Sequence, residues 1–211
     1  MERLINGAKR LGLELNPEQL QKFSIYYQEL TNWNQRINLT SITDYEEVQV
    51  KHFLDALTVT MAIKESENQR IIDIGSGAGI PGLPLKILRP EIKLTLLDAT
   101  QKKATFLKHI TQTLGLNDIK IITGRAEEIA HAKEYRESFD IVLSRAVAPL
   151  PTLVELTLPF CNIGGISIAQ KKGDIKQEIS QATRVINIMG GYLNEIKKVK
   201  LEEFNDDRYL I

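Results

Sequence analysis

Three glycines at alternate positions, Gly75, Gly77 and Gly79, stand between Asp73 and Gly82 and follow the apolar run Ile71-Ile72; a second apolar run, Leu94 to Leu97, closes on Asp98. β-Branched residues such as Ile71, Ile72 and Ile74 suit a strand covered on both faces, and the glycines then let the backbone turn tightly with no Cβ in the way. A ligand can lie directly against that backbone. The spacing is GxGxG, whereas a dinucleotide fingerprint places its third glycine one position later, where this chain has Ile80. A phosphate-cradling loop would close on Gly-Lys-Ser/Thr, but the residues after Gly82 are Leu83 and Pro84. What remains is a nucleoside ligand without a pyrophosphate, and S-adenosylmethionine fits. Asp98, at the end of the second strand, is placed for the ribose hydroxyls, and Asp73, just before the turn, for the methionine end. The same spacing also suits a bare strand-to-helix turn; Asp98 is what argues for a ligand.

The elements that must hold these residues divide near Asn68. Before it, apolar residues recur at helical spacing: Leu4, Ile5, Ala8 and Leu11; Leu20, Phe23, Tyr26, Leu30 and Trp33 after the start signal Asn16-Pro17-Glu18; and Val50, Phe53, Leu54, Leu57 and Met61 after Thr43-Asp44. Residues 1–67 are therefore expected to form a helical cap and residues 68–211 the catalytic domain. In the latter, strand-like runs alternate with helical ones, which predicts an α/β fold with a mostly parallel sheet and helices on both faces. The predicted strands are Arg70 to Ile74, Lys93 to Asp98, Ile119 to Thr123, Phe139 to Ser144, Gly165 to Gln170 and Tyr192 to Val199. The predicted helices run from Ile80 to Leu88, Gln101 to Leu114, briefly from Ala126, then Leu150 to Phe160 and Ile175 to Met189. Arg208 to Ile211 reads as the start of a final strand with no room to finish, since strands run about five or six residues. The C-terminus is accordingly expected to be truncated.

With 211 residues, 43% of them hydrophobic, the chain can bury one large core. No stretch approaches a membrane span and Met1-Glu2-Arg3-Leu4 opens a charged helix rather than a signal peptide, so a cytoplasmic protein is expected. The single Cys161 is read as a core residue, and His52, His109 and His131 lack ligand spacing, so no metal is expected. Formal net charge is zero, so any polyanion must be gripped by local patches.

Beyond the glycine loop the chain carries Trp33-Asn34, Asn38-Leu39-Thr40, Lys51-His52-Phe53-Leu54-Asp55, Gly124-Arg125-Ala126-Glu127, Asp140 with Ser144-Arg145-Ala146, and Lys171-Lys172-Gly173. Together these resemble the RsmG (GidB) family, bacterial methyltransferases that modify N7 of a guanine in the 530 loop of 16S rRNA. The resemblance covers nearly the whole chain. It implies a class I, Rossmann-like, seven-stranded fold with an N-terminal helical cap, and 16S rRNA, in the small ribosomal subunit or an assembly intermediate, as partner. It also implies S-adenosylmethionine contacts at Gly75, Ile80, Ala126, Glu127 and Arg145. The family usually continues into a basic, proline-containing tail, and this sequence stops before it.

The residues themselves agree with those assignments. Ala126-Glu127 lies just past the third strand, where loops open onto the ligand crevice. Arg145 follows Ile141, Val142 and Leu143, so its guanidinium should emerge at the sheet's C-terminal edge, able to bind the cofactor carboxylate or orient RNA. Guanine N7 presents an unprotonated lone pair, so its methylation needs no general base. The catalytic candidates are Arg145 and Asp55, the latter as a carboxylate near the cationic product, although an ordinary helix-surface aspartate is the expected reading of Asp55 ahead of that role. For RNA, Lys171-Lys172 is the favoured patch, ahead of Lys102, Lys103 and Lys108 with His109, and of Lys197, Lys198 and Lys200. A methyltransferase of another RNA, a small molecule or a protein, and a non-catalytic RNA-binding assembly factor, are the alternatives the same sheet permits.

Overall fold

In the computed structural model, which describes residues 1–64, 66 and 68–211, the apolar runs become adjacent parallel strands. These are β1 (Arg70–Ile74), β2 (Lys93–Asp98), β3 (Ile119–Thr123), β4 (Phe139–Arg145) and β5 (Cys161–Lys172). Two short strands, β6 (Lys197–Val199) and β7 (Arg208–Leu210), complete a sheet that has seven strands among the described residues, in the order β3-β2-β1-β4-β5-β7-β6. The order reverses between β1 and β4, and ligands of open α/β sheets sit outside the strand C-termini at such a switch point.

Helix α1 (Glu2–Arg10), helix α2 (Pro17–Ile37) and a third helical stretch form the cap. Asn16 starts α2 through a reciprocal cap: its side chain accepts from the Gln19 amide and the Gln19 side chain accepts from the Asn16 amide, both at 2.9 Å. The third stretch is composite. Asp44 caps α3 (Tyr45–Val48), which runs through a π-helical turn (Gln49–Leu54), α4 (Asp55–Leu57) and a 3-10 turn (Thr58–Met61). Helices α5 (Gly82–Leu88) and α6 (Gln101–Thr113) pack on the same sheet face as the cap; α7 (Ala126–Ile129), α8 (Leu150–Thr157) and α9 (Lys176–Ile188) cover the other. Among the described residues no helix is long and apolar enough to cross a membrane.

Leu4, Phe23, Tyr26, Leu30, Phe53 and Leu57 from the cap share one buried cluster with Ile71, Leu83, Leu94, Phe106, Ile141 and Leu210. The core is thus continuous across the expected boundary between residues 67 and 68, where Glu67 itself lies outside the described residues. Trp33 packs its ring on Phe106 at 5.7 Å and His109 at 5.0 Å, and His109 in turn bonds Glu29 at 2.5 Å, which fastens α2 to α6.

The strand expectations need three corrections. The sixth strand does not begin at Tyr192, which is largely exposed; only Lys197–Val199 find a partner, because the facing strand β7 is equally short. Arg208–Leu210 do form a strand: β7 inserts antiparallel between β5 and β6, and pairing on both sides compensates for its length. β5 starts earlier than expected, and a register shift against β4 accommodates Asn162 to Gly165.

Phe53, fully buried with its ring 5.0 Å from Phe23 and 5.2 Å from Tyr26, tests the shared core. Phe53→Ala should lower stability by about 3–5 kcal/mol in denaturant unfolding. Trp33 fluorescence and far-UV circular dichroism should change together in wild type and variant; a cap signal that melts before the sheet would disprove the common core.

Candidate active site

The loop after β1 turns at the switch point with Gly75, Gly77 and Gly79 at φ of 70°, 58° and 89°, a region L side chains rarely adopt. The Gly75 and Ser76 amides donate to the Leu97 carbonyl at 2.8 and 3.0 Å, and the Gly77 amide donates to Asp98 Oδ2 at 2.9 Å, so the loop is laced to the end of β2. A Cβ at Gly75 would meet Val147 at 2.6 Å, and one at Gly79 would meet Leu83 and the Tyr26 hydroxyl. At Gly77 the nearest atom would be the Gly75 carbonyl oxygen, 3.8 Å away. The loop is therefore packed from inside and open only at Gly77, beside Asp98. Tyr26 of the cap holds it from above, its fully buried hydroxyl donating to the Ala78 carbonyl at 2.5 Å.

Asp98 is 5% exposed, and its two oxygens accept from the Gly77 and Thr100 amides, with Lys103 3.8 Å away. Each carboxylate oxygen has a second lone pair for a hydroxyl donor. Asp73 is placed differently from the expectation. It is 0% exposed, beneath the loop rather than in the crevice, because Oδ2 is aimed at the Gly82 amide at 2.9 Å. Its Oδ1 has no hydrogen-bond partner among the described residues. Burial pushes its carboxyl up to about 7, a shift that the Gly82 N–H and the charge of Arg145 only partly offset. Ile80 is likewise buried, its amide donating to the Ser76 carbonyl at 3.1 Å. Ala126 and Glu127 open α7 just beyond β3, with Glu127 exposed and paired to Arg125 at 2.6 Å.

Across the switch point, Arg145 emerges at the end of β4 but turns into the cap. Nη1 donates to Asp55 Oδ2 at 2.5 Å and to the Lys51 carbonyl at 2.8 Å, and Nη2 lies 2.9 Å from His52 Nδ1. Asp55 is no surface residue: it is 3% exposed and also meets Arg208 of β7 at 3.3 Å. Gln170 of β5 donates to the Asp55 carbonyl at 2.6 Å and to Thr58 Oγ1 at 3.1 Å. Residues from the cap, β4, β5 and β7 thus converge on one cluster. Tyr26, His52, Gln170 and Arg208 were not among the site residues expected from the sequence. Only His52 carried a local signal, standing three residues before Asp55 on the same helical face.

The favoured lysine pair is split by the fold. Lys171 bonds Glu178 and the Ala148 carbonyl, both at 2.7 Å, and its side chain is 13% exposed, so it is spent internally; Lys172 is exposed. Lys103, Lys197 and Lys198 are also paired, with Asp98, Glu195 and Asp207. Burial pushes the Cys161 thiol up to about 11, which disfavours its thiolate at neutral pH.

The strand order, the glycine loop at the switch point and the carboxylate ending β2 define a class I methyltransferase fold. Solved structures share it: precorrin-6y C5,15-methyltransferase from Geobacter metallireducens (TM-score 0.56, 13% identity, 74% of this chain and 85% of that one). M. jannaschii TYW2, solved in complex with AdoMet, is similar at TM-score 0.56 and 15% identity over 81% of this chain and 76% of its own. Residues 19–208 match the family model GidB, described as rRNA small subunit methyltransferase G, and the chain belongs to that family. Proteins named ribosomal RNA small subunit methyltransferase G are 52% identical over all of this chain and 89% of theirs in Dehalococcoides mccartyi. In Thermoanaerobacter pseudethanolicus the identity is 46%, over 95% of this chain and 84% of the relative. The protein is therefore a small-subunit rRNA methyltransferase by family.

Asp73 supplies a pH signature. Its carboxyl is raised from 3.8 to about 7, so the folded state binds the proton more tightly, and the protein should lose stability as pH rises through that window. Asp73→Asn should flatten this dependence, with Tm close to wild type near pH 4 and above it near pH 8. A wild-type Tm that climbs from pH 4 to 7 with no difference in the variant would place the titration elsewhere.

Proposed function

We propose that this enzyme transfers the methyl group of S-adenosylmethionine to N7 of a guanine in the 530 loop of 16S rRNA, within the small ribosomal subunit or an assembly intermediate. The observation that carries this reading is the engagement of the ionisable groups at the switch point. Asp55 is taken by Arg145 and Arg208, His52 by Arg145, and Asp98 by backbone amides, while Asp73 lies under the loop. Among the described residues, none of these is poised to take a proton from a substrate. Guanine N7 requires no such group, because its lone pair is already free. Family membership supports the small-subunit rRNA as the substrate class.

The residues fit the cofactor. The open face at Gly77 leaves room beside the backbone that any Cβ would fill, and Asp98 keeps lone pairs for a ribose diol. Gly75 and Gly79 shape the loop, Ile80 packs its base, and Ala126 with Glu127 would border the adenine. Arg145 would meet the cofactor carboxylate. When bound, the cofactor supplies a methyl group activated by its sulfonium. The protein's part is to hold the two reactants in line and exclude water, and orientation of this kind is worth up to roughly 7–11 kcal/mol. Asp55 then serves as counter-ion to two guanidiniums, not to the methylated base. Lys172, exposed at the end of β5, is the lysine of the favoured pair left for an RNA phosphate, whereas Lys171 braces α9 through Glu178.

The decisive experiment maps methyl groups by mass spectrometry on small-subunit RNA incubated with enzyme and cofactor. N7-methylguanine in the 530 loop is the expected product, and a methyl group at any other atom would overturn the assignment. Gly77→Val should fold yet weaken cofactor binding at least about tenfold in calorimetry, because the branched side chain fills the open face and the positive φ is disfavoured. Unchanged affinity in the folded variant would remove the loop from the site. Lys172→Ala should flatten the salt dependence of RNA binding by about 0.7 in log–log slope, one phosphate contact to single-stranded RNA, while Lys171→Ala should act mainly on stability. The reverse pattern would show that the internal pair opens to grip RNA.

A further inference from the structure

His52 lies in the π-helical turn and is 4% exposed, and its ring contacts define its protonation. A guanidinium carries donors only, so His52 Nδ1, 2.9 Å from Arg145 Nη2, must accept. Nδ1 also lies 3.1 Å from the Lys51 carbonyl oxygen, which reads at first as a donor's position. That oxygen, however, takes Arg145 Nη1 at 2.8 Å. Two acceptors side by side beneath one guanidinium fork explain the spacing, and a proton on Nδ1 would point at another N–H. The neutral ring then carries its proton on Nε2, 2.7 Å from Thr40 Oγ1, which also receives the Ile42 amide at 3.0 Å.

We propose that His52 is a positioning residue: as a neutral, Nε2-protonated imidazole it accepts from Arg145 and, with the Lys51 carbonyl and Asp55, fixes the orientation of the guanidinium at the end of β4. The inference rests on the reading that Arg145 meets the cofactor carboxylate. A guanidinium fixed by an aspartate alone could swing about that one contact; acceptors on both terminal nitrogens leave it a single orientation. The charged groups around the ring are Arg145 from β4, Arg208 from β7, and Lys51 and Asp55 from its own helical stretch. Burial and the two guanidiniums push the imidazole down to about 4, so it stays neutral through the physiological range. Only below that does an imidazolium form, and it would face Arg145 with a donor.

Imidazole 15N NMR on the full chain should find Nδ1 unprotonated and Nε2 protonated, unchanged between about pH 5 and 8. In steady-state assays, His52→Asn sets a carbonyl oxygen near the Nδ1 position, whereas His52→Gln offers nothing there. The KM for S-adenosylmethionine should rise about fivefold or more in His52→Gln and His52→Ala, with kcat within about twofold, and return to within about twofold of wild type in His52→Asn. An Nδ1-protonated or charged ring at neutral pH overturns the proposal, as does equal loss in the Asn and Gln variants. Arg145→Gln separates the two failures. If it leaves KM unchanged, the cofactor reading of Arg145 is wrong; if it raises KM while the Asn and Gln variants behave alike, His52 does not position it.

Discussion

The ion pair between Arg145 and Asp55 joins the end of β4 to the cap in a region where both partners are largely withdrawn from water. Desolvating two charges costs several kcal/mol per ion, and apolar residues of similar volume often stabilise a core as well or better. Stability alone therefore gives no reason for a charged pair at this place. Its consequence is orientation: Asp55 accepts from Arg145 and forms an ion pair with Arg208, so one carboxylate ties the end of β4 and the start of β7 to the cap. The π-helical turn is part of the same device. It leads directly into Asp55 and brings the Lys51 carbonyl and His52 beneath the guanidinium, where a helical carbonyl normally serves only its own helix.

The glycine loop shows the complementary constraint. Tyr26 from the cap and Asp73 from β1 both hold it, through the Ala78 carbonyl and the Gly82 amide. Burial of the Asp73 carboxyl with one oxygen unmatched is expensive, and a raised proton affinity is how the site meets that cost. The loop is thus held on its packed side, with a desolvated carboxyl beneath it. Such costs gather at functional sites, where surrounding structure holds a conformation that isolated residues would abandon.

Most of the sheet was legible in the sequence because a parallel strand covered on both faces is predominantly apolar, as Ile71, Ile72 and Ile74, Leu94, Leu96 and Leu97, and Ile141, Val142 and Leu143 are. Asn16 and Asp44 announced their helices by capping chemistry, which is local. The failures were non-local. Arg208–Leu210 is too short to register as a strand unless β5 and β6 are known to flank it, and Tyr192 falls outside β6 because a strand extends only as far as its partner. Within the candidate site, glycine spacing and Asp98 were readable as types at intervals. The burial of Asp55 and the capture of Lys171 by Glu178 were not, because a surface-type charge becomes internal only through partners remote in sequence.

That remoteness has a consequence for how the site comes into being. Tyr26, Asp55, Arg145 and Arg208 span nearly the whole chain, yet each makes a contact the others depend on. Contacts between distant segments are gained only after the loop-closure entropy between them has been lost, so the cluster belongs to the late stage of folding. Until β7 inserts beside β5, Asp55 has one guanidinium and not two; until the cap docks, neither the Ala78 carbonyl nor Arg145 has its buried partner. A partly folded chain would hold the apolar sheet without the geometry at its switch point. The polar contacts between cap and sheet therefore couple completion of the fold to completion of the site, a role that packing alone, being non-directional, does not fill.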